Sequence, residues 1–178
     1  MANAAKNEPA EKLDRLPAKF DRRRFAIRFR AILPSTRESI NLAVREVRKI
    51  ARASGFPASD AADVEIALRE ALANAIFHGN ENRPEKKVRL RCYGAPGNGI
   101  LLAIRDEGPG FDPAAVPDPR SKERLQLPHG RGIFLMHELM DLAEYRKGGR
   151  EVVLYKSCRG RKAARKIPVR AGRGSPAA

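Results

Sequence analysis

The sequence is poor in the groups that hold a chain together through covalent bridges or metal. Its 178 residues include two cysteines, Cys92 and Cys158, and three histidines. The cysteines make no metal-ligand spacing with the histidines and no disulfide framework, which points to a reducing compartment. No run of about 18 apolar residues is present, which excludes a membrane-spanning helix, and no signal peptide is recognised, so a soluble cytoplasmic protein with no membrane partner is expected. Acid is scarce too, with 21 Asp+Glu against 36 Lys+Arg and a formal net charge of +15. That balance favours anionic partners, whether nucleic acid, nucleotide phosphates or an acidic protein surface, without choosing among them. Also missing are a Walker A loop and a Rossmann fingerprint, so two common phosphate-binding solutions are excluded as sequence matches.

What is present suits one domain, since 42% hydrophobic composition supplies a single core. Residues 1 to 19 read as an N-terminal arm, 20 to 156 as the folded domain, and 157 to 178 as a basic tail that cannot build a core. Phe25 to Arg30 alternates as a strand facing a core on one side. Ser35 and Glu38 form a capping-box pattern before a helix that carries Ile40, Val44, Val47 and Ile50 inward and closes near Gly55. Ser59 or Asp60 is expected to cap a second helix. Val88 to Tyr93 and Ile100 to Arg105 read as a hairpin turning at Ala95 to Gly99, and Glu144 to Lys156 as another. Between them lie a long proline-rich loop, 112 to 129, and an apolar helix from Ile133 to about Met140. The pattern predicts an α+β fold, a two-layer α/β sandwich whose mixed, mostly antiparallel sheet is covered by helices on one face.

The second helix organises the rest. Val64, Ala67, Leu68, Ala71, Leu72 and Ala75 make one broad apolar face, and Glu70, Asn74 and His78 fall at i, i+4 and i+8 along its edge. An Asn oxygen is a reasonable hard ligand for Mg²⁺, and Glu70 beside it can polarise a hydroxyl or water facing a γ-phosphate. Read alone, Glu70 is a helix-surface charge and His78 a residue near a helix C-terminus. Asp106, at a strand end, offers a hydrogen-bond acceptor suited to the exocyclic amino group of adenine, and Gly108 and Gly110 let backbone approach a ring or phosphate. Read alone, Asp-x-Gly-x-Gly is an ordinary turn. Gly130-Arg131-Gly132 before a helix offers free backbone N–H groups for an anion, or is simply a glycine-rich helix start.

Taken in order, Glu70 to Gly79, Asp106 to Pro113 and His129 to Met136 resemble the N, G1 and G2 boxes of the GHKL (Bergerat-fold) ATP-binding domains, and more narrowly the bacterial anti-sigma factor serine kinases. The resemblance covers about residues 25 to 156. It implies ATP bound with Mg²⁺ between the second helix and the long loop as a lid. It implies Glu70 as catalytic base, Asn74 as Mg²⁺ ligand, Asp106 as the adenine reader, Gly110 as the adenine-side glycine, and Gly130 and Gly132 as the glycines at the end of the lid; Gly108 and Arg131 are counted with the nucleotide-binding residues, Arg131 either touching phosphate or pointing into solvent. Where relatives often place Thr after the paired glycines of the last hairpin, this chain has Arg150. The resemblance further implies a serine/threonine kinase that phosphorylates a STAS-type anti-sigma factor antagonist and sequesters a sigma factor, with a homodimer as a further expectation. The rival reading is a binding module of the same fold that binds ATP and regulates a partner without phosphoryl transfer. Nucleic acid is set aside as a partner because only sequence-nonspecific charge speaks for it.

Overall fold

Alternation of apolar and polar side chains makes the first strand, β1 (Ile27–Pro34), one-sided: Phe29 and Leu33 pack on the core while Arg30 and Ile32 point away from it. The computed structural model describes residues 27–113 and 131–158. The N-terminal arm, most of the basic tail and nearly all of the long loop, with Gly130 at its end, lie outside the described residues.

Helix α1 (Arg37–Ala53) buries Ile40, Val44, Val47 and Ile50, as its period predicts, and gives way to Gly55 at φ 75°. The predicted capping box does not form. Thr36 occupies the N-cap without a side-chain bond to the helix backbone, and Ser35, 1% exposed, donates instead from Oγ to Lys86 O at 3.0 Å. The reason is burial: a hydroxyl at a closed strand–helix junction needs a partner, and the Lys86 carbonyl, which also accepts from Ser35 N at 3.2 Å, is the one at hand. Ser39 fastens the helix start by donating to Pro34 O at 2.8 Å.

Helix α2 (Ala58–Ala73) starts one residue before the expected caps. Pro57 holds the N-cap position, and Ser59 and Asp60 fall inside the first turn, where the Asp60 carboxylate suits the positive end of the helix dipole. Val64, Ala67, Leu68, Ala71 and Leu72 are all 1% exposed or less. The small alanines let neighbouring helices approach closely, so truncating Leu68 or Leu72 would cost about 2–5 kcal/mol.

From Asn74 to Gly79 the helix widens into a π-turn, shown by Asn80 N donating to Ala75 O at 2.8 Å. This departs from the uniform α-helix that the apolar period predicts to Gly79. The looser turn breaks the i, i+4, i+8 row, so His78 is exposed while Glu70 and Asn74 are half-buried.

Strands β2 (Lys87–Ala95) and β3 (Gly99–Arg105) form the predicted hairpin, and β4 (Leu142–Arg146) and β5 (Glu151–Lys156) the second. Helix α3 (Arg131–Leu139) precedes the latter. The sheet order is β1-β2-β3-β5-β4, and every pairing among the described strands is antiparallel. The three helices share one face, with α2 between α1 and α3. Their core interdigitates with Leu90, Ile100, Leu102, Ile104, Val152 and Leu154 of the sheet. Lys156 links the layers, donating from Nζ to Asp63 Oδ2 and to Leu139 O, both at 2.7 Å.

Candidate functional site

The C-terminal end of α2, the N-terminus of α3 and the loop leaving β3 converge at one end of the sheet. Glu70 lies where α2 meets the first turn of α3. A Cβ at Gly132 would stand 2.6 Å from Glu70 Oε2 and 3.6 Å from Asn74 Nδ2. Glycine at this position leaves the first turn of α3 in close contact with both side chains, so the carboxylate and the amide face a helix N-terminus, whose dipole favours an anion. Arg131 opens that turn with an exposed side chain. Thus the structure brings Glu70, Asn74 and Gly132 together, as expected; Gly130 lies outside the described residues.

The second half of the site is built on Asp106, which follows the last residue of β3 and is 9% exposed. Its backbone extends the ladder, with N donating to Arg150 O at 3.0 Å, while Oδ1 accepts from Gly108 N at 2.8 Å. Burial pushes the Asp106 carboxyl above the usual carboxylate range, opposed in part by the Gly108 N–H and by the Arg150 guanidinium. The π-turn seats this carboxylate from below. A Cβ at Gly79 would lie 2.5 Å from Asp106 Cγ, and one at Gly108 would run into the Gly79 carbonyl. Gly110, at φ 82°, packs on the Gly148 carbonyl, which accepts from Phe111 N at 3.0 Å. Gly108 and Gly110 are therefore required by close backbone approach, which no ordinary turn demands.

Two residues escaped the sequence reading. Tyr145, on the helix-covered side of β4, stacks edge-on against Phe111 with centroids 5.0 Å apart. Its buried hydroxyl faces the Asn74 side chain but lies beyond hydrogen-bonding geometry, and burial raises the phenol to about 12. The signal in sequence was slight, because an aromatic at an inward strand position reads as core. The other is Asn80, fully buried directly after the π-turn. A polar residue past a helix end reads as loop, and only its adjacency to Gly79 hinted otherwise. Arg150, at the position where Thr was noted as frequent, is exposed and donates from Nε to Lys147 O at 3.1 Å.

Among the described residues no group of three or more His, Cys, Asp or Glu side chains is placed to hold a metal ion. The donors present are the hard oxygens of Glu70 and Asn74. That set fits Mg²⁺, which takes few protein ligands and completes its shell with water and phosphate oxygens.

A helix that carries a carboxylate and an amide, lies against a helix N-terminus and ends in a turn packed on a buried aspartate is the arrangement of a nucleotide-binding ATPase domain. The chain belongs to the histidine kinase-like ATPase domain family, whose model matches residues 33–156. It is similar to the anti-sigma F factor of Oceanobacillus iheyensis, at 34% identity over 85 residues that cover 46% of this chain and 57% of that protein. The serine-protein kinase RsbW of Staphylococcus epidermidis is 26% identical over 131 residues, covering 70% of this chain and 82% of that protein. Among solved structures, the RsbU and RsbW domains of a Mycobacterium tuberculosis protein share the fold, with a TM-score of 0.54 at 16% identity, covering 74% of this chain and 32% of that one. Among the described residues no helix is long and apolar enough to cross a membrane.

Proposed function

We propose that this protein is an ATP-dependent serine/threonine protein kinase and anti-sigma factor, acting in the cytoplasm by partner switching. In this reading it phosphorylates a serine on a small STAS-type antagonist and holds a sigma factor inactive when the antagonist is modified, working as a homodimer. The observation that carries the reading is the Glu70 carboxylate held beside Asn74 against the first turn of α3. The names of the relatives support the partner class, and the match of the family model supports the nucleotide.

The chemistry follows from the two halves of the site. The Asp106 carboxylate accepts a hydrogen bond from the exocyclic amino group of adenine, and Gly108 and Gly110 leave room for the ring. Backbone N–H groups at Arg131 and Gly132, with Gly130, donate to phosphate oxygens, adding the favourable end of the helix dipole. Glu70 accepts the proton of the serine hydroxyl as its oxygen bonds to the γ-phosphorus and the β,γ-bridging oxygen leaves with ADP. The Asn74 amide oxygen is the protein ligand suited to Mg²⁺, which when bound neutralises charge across the phosphates.

Calorimetry with ATP·Mg²⁺ tests the first half of the reading, and transfer of labelled γ-phosphate to a purified antagonist tests the second. Micromolar binding is expected, with Glu70→Ala losing transfer while keeping nucleotide. No binding at millimolar ATP would sink the kinase reading. Binding without transfer by the wild type, with partner capture retained, selects the binding-module alternative.

A further inference from the structure

A buried amide whose every polar group is engaged, one residue past the turn that seats Asp106, calls for a reason. Asn80 is 0% exposed, and its side chain joins segments far apart in sequence. Nδ2 donates to Ser35 Oγ at 2.7 Å and to Lys87 O at 3.1 Å. Oδ1 accepts from Glu107 N at 2.8 Å, the peptide N–H that follows Asp106. The partners are themselves fixed, with Ser35 Oγ donating to Lys86 O at 3.0 Å and Glu107 Oε2 accepting from Lys87 N at 3.0 Å. Meanwhile Gly79, the preceding residue, lies directly against the Asp106 carboxylate.

We propose that Asn80 is the positioning residue for base recognition: it holds the Asp106–Glu107 peptide so that the Asp106 carboxylate meets an amino-bearing purine at a fixed angle. The inference rests on the nucleotide reading above and deepens it. Asp106 has one oxygen engaged by Gly108 N, which leaves the other as the less committed acceptor for a ligand, and its direction is set by the peptide on either side. One side is held by the strand ladder through Arg150 O, the other by Asn80. Released from Asn80, the turn keeps its glycines and its carboxylate but loses the constraint on where the free oxygen points. Asn80 touches no ligand; it acts through Asp106.

The consequence is a change in discrimination rather than in general affinity. The test compares the full-length wild type, Asn80→Ala, Asn80→Ser and Asp106→Asn, titrated with ATP and with purine riboside triphosphate, which lacks the 6-amino group. The wild type should prefer ATP by tenfold or more. Both Asn80 variants should lose most of that preference, while binding of the analogue changes less than about threefold. In an Asp106→Asn background, Asn80→Ala should alter the ratio no further, because the two act in series. Thermal melting measures the structural cost separately, and Asn80→Ser covers the case in which the alanine variant fails to fold. A folded Asn80 variant that keeps the wild-type preference overturns the proposal and leaves the nucleotide reading standing. Failure of the wild type to bind either triphosphate overturns both.

Discussion

Replacing Gly132 with alanine separates the fold from the chemistry proposed for Glu70. The added methyl would stand 2.6 Å from Glu70 Oε2, whereas ordinary contact begins near 3.4 Å, so the carboxylate must retreat by about 0.8 Å. The atom it meets is the free end of a flexible side chain, and an off-rotamer adjustment there costs about 1 kcal/mol. Gly132 sits in a helix at ordinary φ, and alanine is favoured over glycine in a helix by up to about 1 kcal/mol. The two nearly cancel, so the melting temperature should move by only a few degrees. Catalysis responds differently, since a displacement near 1 Å at a reacting group costs on the order of 100-fold. Steady-state phosphorylation of the antagonist over an ATP titration should show kcat reduced by about 30- to 100-fold, with KM for ATP within about threefold because the Asp106 end is untouched. A folded variant with kcat within twofold of wild type would refute the claim that the place of Glu70 sets the rate. Collapse of the melting temperature would refute the claim that the side chain yields.

Asp106→Asn keeps an oxygen for Gly108 N–H but presents a donor to the base, and ATP affinity should fall at least tenfold by calorimetry. Because burial raises the carboxyl in the folded state, the charged form costs stability above the unfolded value near 3.9, and the cost is relieved as pH falls through the raised folded value. The Asn variant should therefore melt no lower than wild type at pH 7, and wild-type ATP affinity should drop on acidification at a pH above the ordinary carboxylate range; a lower melting point in the variant contradicts this. Tyr145→Phe removes a buried hydroxyl without a partner while keeping the ring against Phe111, so chemical denaturation should find it unchanged or up to about 1 kcal/mol more stable; a loss above about 1 kcal/mol refutes the orphan reading. Cys92 is buried with its thiol pushed up by burial, and Cys158 is part-exposed, so a thiol reagent should label one cysteine in the native protein and both in denaturant.

The strands and hairpins were legible because alternation over six or more residues, bounded by Gly and Pro, has one physical meaning when one face is buried. The core face of α2 was legible for the same reason at helical spacing. The helix starts were not: Ser35 has the residue type of a cap, but its hydroxyl is claimed by Lys86 O across the sheet edge, a partner 51 residues away. The π-turn at Asn74–Gly79 leaves no trace in the apolar period, which runs on as an ordinary helix, and shows itself only in the bond from Asn80 N to Ala75 O. Glu70, Asn74, Asp106, Gly108, Gly110 and Gly132 were ambiguous one at a time and stood out only through the order of the three segments and the family resemblance it carries; the structure places Gly132 against Glu70 and Asn74, and Gly108 beside Asp106. Asn80 and Tyr145 were hidden because their importance lies in neighbours supplied by the fold.

The packing of Gly79 on Gly108 places main chain directly on main chain, 29 positions apart, with the aspartate carboxylate wedged beside it. A surface made of peptide groups has no side chains to exchange, so amino-acid substitution has almost no purchase there: each glycine tolerates only itself. In the proposed reading, drift in base preference or affinity therefore enters not through these glycines but through the side chains around them, Asp106 and Asn80 within and Tyr145, Arg150 or Phe111 at the rim, which can change without parting the two backbones.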